Sequence, residues 1–416
     1  MIRLSLRQLT EWTLAGALFL AFVTPLTLTV VRHLPQTAEL SPWLDHMWIG
    51  EPHLIGVTDP NPDVRLTWRS LANGEFQKRK AIRFNENFAG RELFIRFTGE
   101  LWYRLFHDTA NVSQTIVFGQ HDILFGTGYL QEYFLQRASK SAFEPWVKDL
   151  RRLQDFCRSV GMGFVIVITP SKATIYPEDA PPAWQRRYVS SPRAYDLLKV
   201  LFRENGIAFV DGVDLIKQEK LKGPPVPLFP KGGVHWNSRA AFITANAIHA
   251  RFAEQNKPIR PIELDHRDIA YEPAGDECDL QRILNLARPW RYPVERFTLK
   301  RHAPPWTGGV NMAVVGGSFA WALTRDFSMC GQYSNINCFF YYKMYKTREV
   351  DGFSRIVRKP TEDVDFGREI FSADCLLLEL NETSAIAPEH FLSAFLKDAL
   401  AHLPDPAAPR QPFRPD

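Results

Sequence analysis

The stretch Phe164-Val165-Ile166-Val167-Ile168 constrains this chain more than any other. Five apolar residues follow one another without a polar break, so both sides of the segment must be covered. A strand in a one-sided sheet would alternate; an unbroken run predicts a parallel strand with helices over both faces. Before it, Trp146, Val147, Leu150, Leu153, Phe156 and Cys157 recur at helical spacing, and Gly163 breaks the pattern. After it, Ser191 to Phe202 predicts a second helix, and Ile207 to Val210 a second strand ending at Asp211. Residues 143–210 therefore read as helix, strand, helix, strand, a right-handed parallel unit. Arg239 to Phe252 predicts another helix. Ala313 to Val315, Cys338 to Phe340 and Cys375 to Leu380 add apolar strands, and Phe391 to Leu400 a closing helix. The expected fold class is α/β: a three-layer α/β/α sandwich with a mostly parallel sheet over residues 110–403, then a Pro-rich tail, 404–416. Val117-Phe118-Gly119 and Ile123-Leu124-Phe125 predict a hairpin around Gln120-His121-Asp122. Between Phe252 and Pro305 no periodicity dominates.

The amino-terminal part obeys a different rule. Trp12 to Val31 carries no charge, and about 20 such residues suffice to cross a bilayer as a helix. Arg3 and Arg7 precede the run, which places the short leading end in the cytoplasm and everything after Arg32 outside the inner membrane. A cleaved signal peptide is the competing reading; the bulky Thr27-Leu28-Thr29-Val30-Val31 favours an uncleaved anchor. Residues 1–33 are thus expected to be a single-pass anchor, and 34–109 a linker and irregular arm.

Composition sets bounds. Hydrophobic residues make up 45% of the 416, enough for a substantial core. The balance of 50 basic to 46 acidic residues calls for no nucleic-acid partner, and none is expected. The cysteines at 157, 278, 330, 338 and 375 show no metal-ligand spacing, so neither a metal nor a cofactor is expected. Cys330 and Cys338 are a disulfide candidate in an oxidising compartment; buried thiols are the alternative.

Chemistry points to one turn. In Ala313-Val314-Val315-Gly316-Gly317-Ser318-Phe319 an apolar strand ends in two glycines and a serine. Such a turn presents a hydroxyl at the carboxyl edge of a sheet, where open α/β folds place their chemistry. His235, in Lys231-Gly232-Gly233-Val234-His235-Trp236-Asn237, is the candidate base that would take the Ser318 proton.

These two stretches together resemble the SGNH-hydrolase-like domains of the alginate O-acetyltransferase family (the AlgX/AlgJ type). The hairpin at 117–125, Pro170-Ser171-Lys172-Ala173-Thr174-Ile175-Tyr176-Pro177-Glu178 and Asn381-Glu382 are similar to the same family, so the likeness spans roughly residues 70–400. It implies an acetyl-transferring Ser-His-Asp triad with Ser318 as nucleophile and His235 as base. The partners it implies are an exported polysaccharide as acceptor and a membrane-bound O-acyltransferase as acetyl donor. The implied setting is the bacterial inner membrane, with the catalytic domain in the periplasm. Two positions depart from the family pattern. The family has Asp-x-His-Trp and Gly-Asp-Ser; this chain has Gly233 and Gly317 where the aspartates stand. A triad histidine needs an acceptor to fix its tautomer. Asp279, within Gly275-Asp276-Glu277-Cys278-Asp279-Leu280, is the candidate replacement, with Asp276 and Asp211 as alternatives. A helix N-cap is the competing role for Asp279. Lys172, Tyr176, Trp236 and Asn237 are expected at the substrate cleft. An acetylesterase using the same residues, and a non-catalytic glycan-binding scaffold with a decayed site, are the alternatives to transfer.

Overall fold

A computed structural model describes residues 65–86, 91–109, 115–136, 138–301, 309–342, 345–350, 353–357, 364–386, 389–407 and 411–413, with isolated positions before residue 65. The run Trp12 to Val31 lies for the most part outside the described residues. Among the described residues, no helix is long and apolar enough to cross a membrane.

The chain divides into two compact units, residues 1–113 with 281–289, and residues 114–280 with 290–416. The first unit contains the helices α1 (Trp68–Ala72), α2 (Glu75–Glu86) and α3 (Arg91–Phe106). On α3 a Cβ at Gly99 would stand 2.6 Å from Leu284 O, so only glycine permits this approach of the helix to 284–286. Arg96 Nη1 donates to Leu286 O at 2.9 Å beside it.

The second unit is built on one seven-stranded sheet. Its strands are β3 (Gly163–Thr169), β4 (Phe209–Asp211), β7 (Val310–Gly316), β8 (Tyr333–Phe340), β9 (Tyr345–Val350), β10 (Phe353–Val357) and β11 (Cys375–Asn381). The order is β10-β9-β8-β7-β11-β3-β4. From β8 through β4 all neighbours are parallel; β9 and β10 extend the edge antiparallel. The hairpin β1 (Ile116–Phe118) and β2 (Leu124–Gly126) and the antiparallel pair β5 (Leu264–Ala270) and β6 (Val294–Leu299) stand outside this sheet.

Strand alternation sorts the core into two layers. Ile166, Ile168, Ala313, Val315, Leu376 and Leu378 face one side, against α5 (Lys140–Ser159), α6 (Ala194–Glu204) and α10 (Phe391–Ala401). Val165, Val167, Met312, Val314, Cys375 and Leu377 face the other, against α8 (Ser238–Ala253) and α9 (Ala320–Met329). Two further helices of this unit are α4 (Thr127–Leu135) and α7 (Gly212–Leu221). Truncating a fully buried side chain here, such as Leu377→Ala, costs about 2–5 kcal/mol. Coverage of both faces is the three-layer α/β/α arrangement that the unbroken apolar runs require. The Pro-rich tail returns to the fold: Phe413 packs on the core, and Gln411 Oε1 accepts from Arg368 Nε at 3.1 Å. All five cysteines are buried thiols, so Cys330 and Cys338 are not bridged.

Candidate active site

Ser318 lies in the turn between the carboxyl end of β7 and α9, one residue ahead of the helix N-cap Phe319. Gly316 is required there: a Cβ would meet Ala320 Cβ and Glu379 Cβ at 2.8 Å each. The turn presents Ser318 partly exposed at the sheet edge while Phe319 is buried behind it.

His235 sits on the loop entering α8. That loop is tied down at several points. Asn237 caps α8 by accepting the Ala240 N–H at 3.0 Å, and its own Nδ2 donates to Pro227 O at 3.0 Å. Lys172 Nζ donates to Leu124 O at 2.9 Å and to Pro230 O at 2.6 Å. Tyr176 Oη accepts the Leu228 N–H at 2.9 Å. Trp236 is buried, edge-on to Phe319 at 5.6 Å between ring centroids. Lys172, expected at a substrate cleft, is instead buried with its ammonium on main-chain acceptors, and Tyr176 holds one main-chain N–H, so both pin the His235 loop. Burial in this apolar setting pushes the Lys172 ammonium down to about 7. Trp236 and Asn237 border the cavity described below.

The loop delivers the imidazole to the hydroxyl. His235 Nε2 lies 2.8 Å from Ser318 Oγ, and Nδ1 lies 2.8 Å from Asp279 Oδ2. Asp279 Oδ1 also accepts from Val234 N at 2.8 Å and Leu280 N at 2.7 Å, which fixes the carboxylate. With Nδ1–H donating to Asp279, Nε2 is left as the acceptor for the serine proton. Neither alternative acid bonds the imidazole, whose Nδ1 meets Asp279. Asp211 accepts from Tyr195 Oη at 2.9 Å and caps α7 through Asp214 N. Asp276 contributes its main-chain oxygen beside Gly233.

That oxygen explains the first departure from the family pattern. A Cβ on residue 233 would stand 2.5 Å from Asp276 O and 2.9 Å from Glu277 O. The segment that brings in Asp279 fills the space a side chain at 233 would need, so the two sources of the acid exclude each other.

Two further groups touch the nucleophile turn, and the sequence reading missed both. Tyr341 Oη donates to Ser318 Oγ at 3.1 Å and accepts the Ser318 N–H at 3.2 Å. Glu379, fully buried on β11, accepts the Gly317 N–H through Oε2 at 2.6 Å. A lone glutamate among Leu376, Leu377, Leu378 and Leu380 was the available signal, since a buried carboxyl needs partners to be tolerated. For Tyr341 the sequence offers no comparable sign. Beside Ser318 a cavity of about 610 Å³ opens, with Trp321 and Arg325 from α9 on one wall and Arg296 and Phe297 from β6 on another. A hydroxyl, an imidazole bonded to it, a carboxylate bonded to the imidazole and an adjacent cavity form the geometry that acyl transfer requires.

Residues 116–307 match the family described as SGNH hydrolase-like domain, acetyltransferase AlgX. The matched segment contains His235 and Asp279 and ends before Ser318. Three solved structures are similar. The O-acetyltransferase domain of Pseudomonas putida AlgJ is 18% identical with a TM-score of 0.46, over 69% of this chain and 98% of that one. Pseudomonas aeruginosa AlgX is 17% identical with a TM-score of 0.40, over 67% and 66%. Bacillus cereus PatB1 is 11% identical with a TM-score of 0.45, over 66% and 98%. No curated protein matches the chain.

Proposed function

We propose, from the premise that residues 116–307 fall within the SGNH hydrolase-like acetyltransferase family, that this chain is an O-acetyltransferase acting on hydroxyl groups of an exported polysaccharide through an acetyl-serine at Ser318. One observation carries the reading: the continuous relay from Asp279 Oδ2 to His235 Nδ1 and from Nε2 to Ser318 Oγ, both at 2.8 Å.

In the first half-reaction Ser318 Oγ attacks the acetyl carbonyl and gives its proton to His235 Nε2. The imidazolium is held by Asp279, and the leaving group departs with the proton from Nε2. In the second half-reaction a sugar hydroxyl attacks the acetyl-serine, His235 takes that proton, and Ser318 recovers it on leaving. The oxyanion takes the place of Tyr341 Oη on the Ser318 N–H, with the phenol O–H as second donor. The Gly317 N–H is already committed to Glu379.

The cavity of about 610 Å³ supports transfer over simple hydrolysis, because it offers room for an acceptor larger than water and an exposed indole, Trp321, suited to a sugar face. Asp279 supports catalysis over a scaffold role, because the loss of the family aspartate at 233 is made good. The acetyl donor in this reading is a membrane-bound O-acyltransferase. The chain is held in the inner membrane by Trp12 to Val31, with its catalytic unit in the periplasm.

The test uses the purified full chain with an activated acetyl ester and a glycan acceptor. Acetylated glycan is expected, and Ser318→Ala should lower turnover on the order of 10⁴-fold or more. Equal rates in parent and variant would refute the acetyl-serine reading.

A further inference from the structure

Glu379 is a buried carboxyl that the acyl-transfer steps above do not use. It shares strand parity with Cys375 and Leu377, so it projects into the apolar layer under α8 and α9, at 0% exposure. Its oxygens are engaged in two directions. Oε2 accepts the Gly317 N–H at 2.6 Å, and Oε1 accepts from Thr169 Oγ1 at 2.5 Å. Asn381 Nδ2 in turn lies 3.3 Å from that threonine oxygen. Gly316 makes room for it, and Gly317 lies in contact with it. A Cβ on Gly316 would be 2.8 Å from Glu379 Cβ, and one on Gly317 would be 3.5 Å from Oε2. No cation pairs with the carboxyl among the described residues. An ionisable group kept at such desolvation cost beneath a nucleophile is a functional candidate.

We propose that Glu379 is a positioning residue for the reaction: by holding the Gly317 N–H it fixes the direction of Ser318 Oγ and leaves the Ser318 N–H to meet the oxyanion. The proposal rests on the acyl-transfer reading of Ser318. A second consequence concerns charge. Burial is the main cause lifting the Glu379 carboxyl to about 7; the Thr169 and Gly317 donors and the nearby His235 oppose that rise. The other titratable groups around it are Tyr129 and Tyr341, both phenols, with Asp279 beyond His235. When ionised, Glu379 favours the His235 imidazolium.

The experiment compares the full-length parent with Glu379→Gln, Glu379→Ala and Ser318→Ala, measuring kcat, KM and the pH dependence of kcat/KM with an activated acetyl ester. Glu379→Gln keeps an acceptor for the Gly317 N–H, so kcat should fall no more than about tenfold. Glu379→Ala leaves that N–H buried without a partner, and kcat should fall on the order of 10²-fold with KM little changed. Parent-like kcat in Glu379→Ala, with Ser318→Ala inactive, overturns the positioning role and leaves acyl transfer standing. Full activity in Ser318→Ala overturns the reading beneath it. If Glu379→Ala fails to fold, Glu379→Asp, whose shorter side chain withdraws the acceptor from the Gly317 N–H, decides alone: parent-like kcat overturns the role.

Discussion

The two glycine turns that meet at the site solve the same problem in opposite ways. Both carry glycine where the related family carries aspartate. At Gly233 the space is closed by main chain: Asp276 O would be 2.5 Å from a Cβ, and main chain cannot step aside cheaply. The acid lost there returns as Asp279, bound to His235 at 2.8 Å. At Gly317 the obstacle is softer. A Cβ would find Tyr341 Cε1 at 3.2 Å and Glu379 Oε2 at 3.5 Å, both side-chain atoms. What an aspartate would bring there is a second carboxyl beside one already buried. One glycine is thus enforced by shape, whereas at the other a carboxylate would find space but add charge beside the buried Glu379.

The comparison can be broken at either turn. The largest effect is expected at the first. Asp279→Ala should reduce kcat on the order of 10⁴-fold, since the imidazole loses its orienting acceptor. Adding Gly233→Asp to that variant should not restore activity, because the 275–278 main chain still occupies the position. Recovery to within about tenfold of the parent in a steady-state assay would show that shape is not what excludes an acid at 233. A smaller effect is expected at the second turn. Gly317→Asp should lower kcat about tenfold to a hundredfold and move the acid limb to higher pH, since added negative charge favours the imidazolium. Gly317→Ala, which only nudges the Tyr341 ring, should stay within a few-fold of the parent. Equal losses in the two Gly317 variants would make this turn as shape-limited as the first.

How far this architecture could be read in advance follows from what each residue must satisfy. Strands β3, β7 and β11 announce themselves, because a strand covered on both faces has to be apolar throughout. β5 and β6 do not, because a pair with exposed positions mixes charged residues such as Asp265, Arg267 and Asp268 among apolar ones. Ser318 and His235 stood out through the glycines around them. Asp279 is legible as a candidate only once Gly233 is recognised as a departure. Tyr341 stayed hidden because its role depends on which strand ends lie side by side, and no local pattern encodes that; Glu379 was marked only by its apolar neighbours. Lys172 illustrates the opposite error: a lysine on a strand-end loop reads as a ligand contact, yet it is buried and donates to Leu124 O and Pro230 O.

The central claim is that Ser318 carries the acetyl group between donor and acceptor. It is tested most directly by quenching the full chain during turnover of an activated acetyl ester and mapping the modification by peptide mass spectrometry. The account predicts one added acetyl group on the peptide containing Ser318, accumulating in the parent and discharged by glycan acceptor. Acetyl found only on other residues, or none trapped while glycan is still acetylated at the parent rate, would contradict it.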